Sequence, residues 1–473
     1  MGAVSVRGRL PYLLVGSGLV LLGVVVALLV VRHGGESPQA VSTAPTTTTP
    51  TTTTTTAAPP PATTTAPTPP PAGPISDVTV ETVSPSAARV SWKAATTVRV
   101  AYGPAGQPPT LWATPAGSSI TLGGLSVGGS YDVHLTTKGG EATVTVHPPA
   151  PTSPVTGSIG AGDVLLDGQP FFPLVVYGQC PGAVEGVLAL GINLFTNNGC
   201  GGTAELAAAV SGRALTLAQP SEGAVTGPVI GTNYPDEPDG HGITGATLPP
   251  VSGLTFLTLT NHFYSGAAPL PQGRGMYPGL IAKADVIGFD LYPLQNWCRP
   301  DALPAVYDAQ RELVALAAGK PTFQWIETGH MDCPDTPELA VTQAVLRAES
   351  WLAIAGGARG LGFFPIGWTG AIGEAIAKVA QDVQALGPAL LAADAPASAD
   401  GPVKVGARRL GGALYVFAVN PTYAAASATV RVPGLGGRAL QVLGEGRTVA
   451  PKGSSFADSF APLAVHLYVA GPR

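Results

Sequence analysis

Residues 285–329 read DVIGFDLYPLQNWCRPDALPAVYDAQRELVALAAGKPTFQWIETG. An apolar run (285–293) is followed by a Leu/Ala-rich helical segment (303–320) and then a second apolar run (321–329). Neither run alternates apolar with polar, as a strand with one wet face would. Successive apolar positions are the pattern of parallel strands buried on both faces. Strand, helix and strand in this order form one βαβ unit.

The same unit recurs outward in both directions. Six more apolar runs of strand length lie at 170–178, 192–199, 213–220, 228–238, 255–263 and 360–368. Helical segments lie at 182–191, 203–212 and 338–357. Eight strands with intervening helices predict a (β/α)8 TIM barrel over residues 157–395. The connection from the third to the fourth strand, about seven residues, is too short for a helix. The next connection is rich in Gly and Pro and is expected to be irregular.

Shorter alternating segments flank this region. After a last helix near Ile372–Ala393, residues 400–473 predict a C-terminal antiparallel β-sandwich. Residues 75–149 carry VTVETV, ARVSW, VRVAYG, SITL, YDVHL and ATVTV between Gly, Pro and Ser turns, which predicts a second small sandwich. Trp92 ends its second strand, and Leu125 and Tyr131 bracket a Gly-rich turn. In these residues the segment resembles a fibronectin type III domain, where such a Trp packs the core and such a Tyr makes a corner. Residues 32–74 are almost wholly Thr, Pro and Ala, a linker that cannot bury a core.

Residues 10–31 run apolar without a charge. At 1.5 Å per residue they reach roughly 33 Å, enough for a hydrocarbon core of about 30 Å. The run is longer than a signal-peptide core, and no small-x-small site follows closely. The expectation is an uncleaved single-pass anchor, a short cytoplasmic tail (1–9) and an extracytoplasmic bulk. The net charge is −5, and Asp, Glu, Lys and Arg make up 11% of the chain. That leaves no basic footprint for nucleic acid. No GxSxG, P-loop or dinucleotide fingerprint is present, and Asp239 with His241 lacks metal-ligand spacing. No cofactor and no metal is expected.

In TIM barrels the site lies at the C-terminal strand ends. Those ends carry Tyr177; Asn197; Asp236 and Glu237; His262; Asp290 and Tyr292; Glu327; and Trp368. Glu237 closes the fourth strand and Glu327 the seventh, across the barrel mouth from each other. Glycosidic hydrolysis needs such a facing pair of carboxyls. This arrangement, with the opening VLLDGQPFFPLVVYG (164–178), resembles the clan A, or four/seven, glycoside hydrolases. The resemblance implies Glu237 as acid/base and Glu327 as nucleophile of a retaining enzyme, about 5–5.5 Å apart. It implies Trp368 as the aromatic floor for the cleaved sugar and Tyr292 as a partner of the nucleophile. Tyr177, Asn197, Asp236, His262 and Asp290 complete the expected substrate contacts. The chain departs from the family at Asp236, where Asn is usual, and it has no Arg at the end of the second strand. Asp236 and Asp239 place negative charge beside Glu237, which raises its pKa. Two other readings stand beside the hydrolase: a non-catalytic glycan- or cell-wall-binding surface protein, and an adhesion protein working through residues 75–149.

Cys180 follows the first strand and Cys200 the second; Cys298 follows the sixth and Cys333 the seventh. Neighbouring strands place their following loops side by side. Disulfides Cys180–Cys200 and Cys298–Cys333 are therefore expected, in an oxidising compartment.

Overall fold

The computed structural model describes residues 75–152, 155–365 and 368–472. The expected tail, membrane span and linker (residues 1–74) lie outside the described residues. Among the described residues no helix is long and apolar enough to cross a membrane.

Eight parallel strands close into a barrel: Leu174–Tyr177, Leu194–Thr196, Leu215–Ala218, Val229–Asn233, Leu254–Leu259, Val286–Asp290, Thr322–Glu327 and Leu361–Phe364. They pair in sequence order, and the eighth returns to the first through Val175 opposite Gly362. Each strand lies within one residue of its expected apolar run. Inward-facing side chains such as Val175, Leu215, Phe256, Phe323 and Trp325 fill the barrel. Residues on the other face, such as Val176, Leu257 and Ile326, pack against the surrounding helices. Burial on both faces is why the runs are apolar at successive positions.

The helices are Val184–Leu188, Thr203–Val210, Tyr277–Lys283, Pro304–Ala317, Gln343–Gly356 and Gly370–Leu390. Among the described residues, the connections from third to fourth and fourth to fifth strand carry none, as expected. The helix Tyr277–Lys283 was not anticipated. It has seven residues and carries Pro278 and Gly279, too short and too irregular to display a helical period. Before the barrel, strands Gly157–Gly160, Asp163–Leu166 and Gln169–Phe171 form a small antiparallel sheet. Its Val164, Leu166 and Phe171 join the barrel's interior cluster.

Antiparallel sheets stand on both sides in sequence. Residues 75–146 form a three-stranded and a four-stranded sheet. Trp92 and Tyr131 are both buried between them, and the Tyr131 hydroxyl accepts from Ser126 N at 2.9 Å. Residues 393–470 form a six-stranded and a three-stranded sheet. Strand Ser455–Phe460 was not anticipated; only its Phe456 and Phe460 are buried, with Ala, Asp and Ser between them.

Both flanking units are fastened to the barrel. Phe417 packs on Trp351 of helix Gln343–Gly356, with ring centroids 5.3 Å apart. Gly406 passes so close to that helix that a Cβ would meet the Ala355 carbonyl oxygen at 2.5 Å. On the other side, the Tyr131 and Thr110 hydroxyls donate to the Gln384 and Ala385 carbonyls at 3.1 and 2.7 Å. Tyr415 in turn donates to Thr110 O at 3.0 Å. The N-terminal sheets thus dock on the last barrel helix rather than hanging from it.

Both disulfides form, with Cα–Cα distances of 5.0 Å for Cys180–Cys200 and 5.4 Å for Cys298–Cys333. They span 20 and 35 residues. Closing loops of that length restricts the unfolded chain by roughly 3 and 4 kcal/mol. The paired substitution Cys298→Ser/Cys333→Ser should lower the unfolding free energy by about that larger amount, read from denaturant midpoints. An unchanged midpoint would mean that this bridge contributes nothing.

Candidate functional site

A cleft opens at the C-terminal end of the barrel. The fourth strand delivers two of its groups through the turn Tyr234-Pro235-Asp236-Glu237-Pro238. Two prolines fix this turn, and Glu237 is held at φ +44°. Asn197, after the second strand, is at φ +50°. Left-handed backbone disfavours a Glu by about 1 kcal/mol or more, so it persists only where surrounding structure imposes it. Here it turns Glu237 into the cleft.

Glu237 meets Asp290, the last residue of the sixth strand, and the two carboxyls are hydrogen-bonded to each other. Burial pushes Glu237 up to about 7, and the charges of Asp236 and Asp239 add to it. Burial likewise drives Asp290 far above the ordinary carboxylate range, with Asp236 and Glu237 contributing. Two carboxyls in contact cannot both ionise, so the pair holds a proton at neutral pH. The Tyr292 hydroxyl donates to Asp290 Oδ1.

Asp236 sits beside them and accepts from the Tyr177 hydroxyl. Burial pushes it up to about 6, while that hydrogen bond and the His241 charge hold it down. Tyr177 also bonds Asn197, whose Oδ1 accepts from Asn233 Nδ2 at 2.9 Å. A chain of polar groups from three strands therefore orients Asp236. Aromatic rings form the walls. Tyr177 stands edge-on to Trp325 and Phe364, at 6.0 and 5.5 Å, and Tyr292 stacks on Phe364 at 6.0 Å. Asn261, Asn296 and Asp332 complete the rim.

The expected residues divide between those the cleft gathers and those it does not. Tyr177, Asp236, Glu237, Asp290 and Tyr292 line it, and Asn197 supports it. Glu327 does not. It is fully buried, and its oxygens accept from Leu294 N at 3.0 Å and Gln295 N at 2.8 Å. It is also hydrogen-bonded to the buried Glu349 of helix Gln343–Gly356. Glu327 is therefore absent from the lining of the cleft that holds Glu237. The two N–H groups of the loop after the sixth strand draw Glu327 into the barrel wall. Tyr292 correspondingly partners Asp290, not Glu327.

Trp368 does not line this cleft. Its indole donates to Thr328 Oγ1 and packs near Phe363, while Trp325 and Phe364 line the cleft. His262 also turns away, with Nδ1 at 2.7 Å from Ala268 O; its neighbour Asn261 faces the cleft instead. Asp239 is fully buried and accepts from Thr260 N and the Tyr277 hydroxyl, at 3.1 and 3.0 Å. It fastens the loop after the fourth strand to helix Tyr277–Lys283. The sequence reading missed the roles of Trp325, Phe364, Asn261 and Asp332. Strand alternation carries a signal for the first, since Phe323 and Trp325 face inward together.

The sequence matches no family profile and no curated protein. Among solved structures it is similar to a GH30 endoxylanase from Clostridium papyrosolvens, at 12% identity and TM-score 0.40 over 67% of this chain and 100% of that one. It is also similar to a β-glucuronidase from Ruminococcus gnavus, at 12% identity and TM-score 0.35 over 66% of this chain and 67% of that one. An α-amylase from Anoxybacillus matches at 11% identity and TM-score 0.30, over 46% and 59%. Similarity this distant assigns neither family nor reaction.

The buried Glu327–Glu349 pair has a consequence for stability. Burial raises both groups, and for Glu349 the charge of Glu327 adds to it. The folded chain then holds protons that the unfolded chain releases. The pair's stabilisation is full below the ordinary carboxyl range and falls as pH rises above it. Glu349→Gln removes one titrating group and keeps a donor toward Glu327. The decline of stability with rising pH should become shallower by up to about 1.4 kcal/mol per pH unit, read from unfolding midpoints. An unchanged slope would contradict the shared proton.

Proposed function

We propose that the protein is a membrane-anchored, extracytoplasmic glycoside hydrolase whose acid is the Glu237–Asp290 pair. The observation that carries this reading is that pair, held with its proton in an aromatic-walled cleft at the C-terminal mouth of the barrel. Glycosidic cleavage needs a proton delivered to the leaving oxygen and a negative charge beside the sugar's developing cation. Glu237, pushed up to about 7, supplies the proton. Asp236, at about 6 and held by Tyr177, supplies the charge. Environments that separate the protonation of neighbouring carboxyls are what such a division of roles requires. Trp325 and Phe364 give the cleft apolar walls against which a sugar ring can lie.

The compartment and the anchor are part of the same proposal. Two disulfides support an oxidising location, and the apolar run 10–31 supports the tether. The N-terminal sandwich is read as fibronectin type III-like on Trp92, Tyr131 and its two-sheet order. Its docking on the barrel favours a structural role over adhesion.

One observation favours glycan binding without cleavage. Glu237 and Asp290 touch, closer than the roughly 5–5.5 Å of a retaining pair. A screen of aryl glycosides and polysaccharides separates the two readings. In the hydrolase, Glu237→Gln lowers kcat/KM by about 10²–10⁴, while folded Glu327→Gln keeps the chemistry. Polysaccharide retention with no turnover would instead support the binder. Equal loss in folded Glu327→Gln would return the nucleophile to the seventh strand.

The pH profile follows from the same groups. Activity should rise as Asp236 ionises through about 6 and fall as Glu237 loses its proton through about 7. A narrow bell in kcat/KM is expected; a plateau extending above that range would rule out Glu237 as the acid.

A further inference from the structure

The cleft gathers acidic side chains and no basic one. Four carboxyl residues line it, Asp236, Glu237, Asp290 and Asp332, and no Lys, Arg or His does so among the described residues. His241 lies exposed on the loop after the fourth strand and acts on Asp236 from there. No three Asp, Glu, His or Cys groups among the described residues are placed to hold a metal ion. The negative charge is therefore balanced by protons or by what enters the cleft.

A second observation points to a ligand. Asn261 is 8% exposed and lines the cleft, yet its side chain has no hydrogen-bond partner in the protein. An arriving hydroxyl or amine supplies one. At the rim, Asp332 accepts only a long 3.5 Å hydrogen bond from Asn296 Nδ2 and is exposed. The Cys298–Cys333 disulfide fixes the two loops that carry these residues. Asp332 has no part in the proposed chemistry, so its charge is available for recognition. The enclosed volume is about 210 Å³, below the roughly 300–1,000 Å³ of pockets for drug-sized ligands. It accommodates one sugar ring, and the rest of a chain lies across the rim.

We propose that the substrate is a glycan bearing free amino groups, of the glucosamine type, whose ammonium is read by Asp332 and the carboxyls behind it. A uronic acid would bring a further negative charge into the cleft and be repelled. A neutral sugar would stack on the rings but leave the carboxylates uncompensated. An ammonium sugar satisfies both, and the aromatic faces add attraction for its cation. This inference deepens the hydrolase reading and rests on the same cleft.

The test uses full-length Glu237→Gln protein, so that turnover does not interfere, titrated with glucosamine, cello- and galacturonate oligomers of equal length. Wild-type protein is assayed for hydrolysis of each. The glucosamine oligomer should bind about tenfold tighter than the cello-oligomer, and added salt should narrow that ratio. Adding Asp332→Asn, an exposed substitution, should shrink the ratio by about threefold. Cello- or galacturonate oligomers binding as tightly as the glucosamine oligomer would overturn the inference, as would a ratio unmoved by Asp332→Asn. Hydrolysis of neutral glycans alone, dependent on Glu237, would overturn it and leave the hydrolase reading standing. Preferred binding of the glucosamine oligomer without hydrolysis by wild-type protein would uphold it and overturn the hydrolase.

Discussion

Taking a carboxyl group out of water without a cation beside it is the constraint on which this architecture turns. The barrel domain does so twice. Glu237 and Asp290 meet in the cleft, and Glu327 and Glu349 meet in the wall behind the seventh strand. Each pair resolves the problem by keeping a proton. Their surroundings give them different work. The wall pair is closed off by Leu294 and Gln295 N–H groups and joins a loop to a helix. The cleft pair faces a space bounded by Tyr177, Tyr292, Trp325 and Phe364, where its proton can be passed on.

The rest of the mouth is built to hold that arrangement. Two prolines and a left-handed backbone aim Glu237, while Asp239 secures the loop that follows. Two disulfides tie the loops after the first and second strands and after the sixth and seventh. The C-terminal sheets brace helix Gln343–Gly356, which carries Glu349. The docked N-terminal sheets brace the last helix. Both flanking units thus stiffen the barrel from outside the cleft.

Much of the fold was legible because its physics is periodic. A parallel strand buried on both faces must be apolar at successive positions, and eight such runs stand out in a chain with 11% charged residues. The disulfides were legible because adjacent strands place their loops together. Helix Tyr277–Lys283 and strand Ser455–Phe460 were not, since one is too short and the other too polar to show a period. The site was half legible. Strand ends located Tyr177, Asp236, Glu237, Asp290 and Tyr292. They could not tell that two backbone N–H groups would turn Glu327 into the wall, because those donors come from a different loop. Trp368 stands outside the cleft lining, its indole donating to the Thr328 hydroxyl.

The proposed working carboxyls are those of the fourth and sixth strands. A sugar carrying a carboxyl-reactive epoxide, followed by peptide mass mapping, tests this assignment most directly. The adduct is expected on Asp236, Glu237 or Asp290, and is lost when excess glycan protects the cleft. An adduct on Glu327 would contradict it.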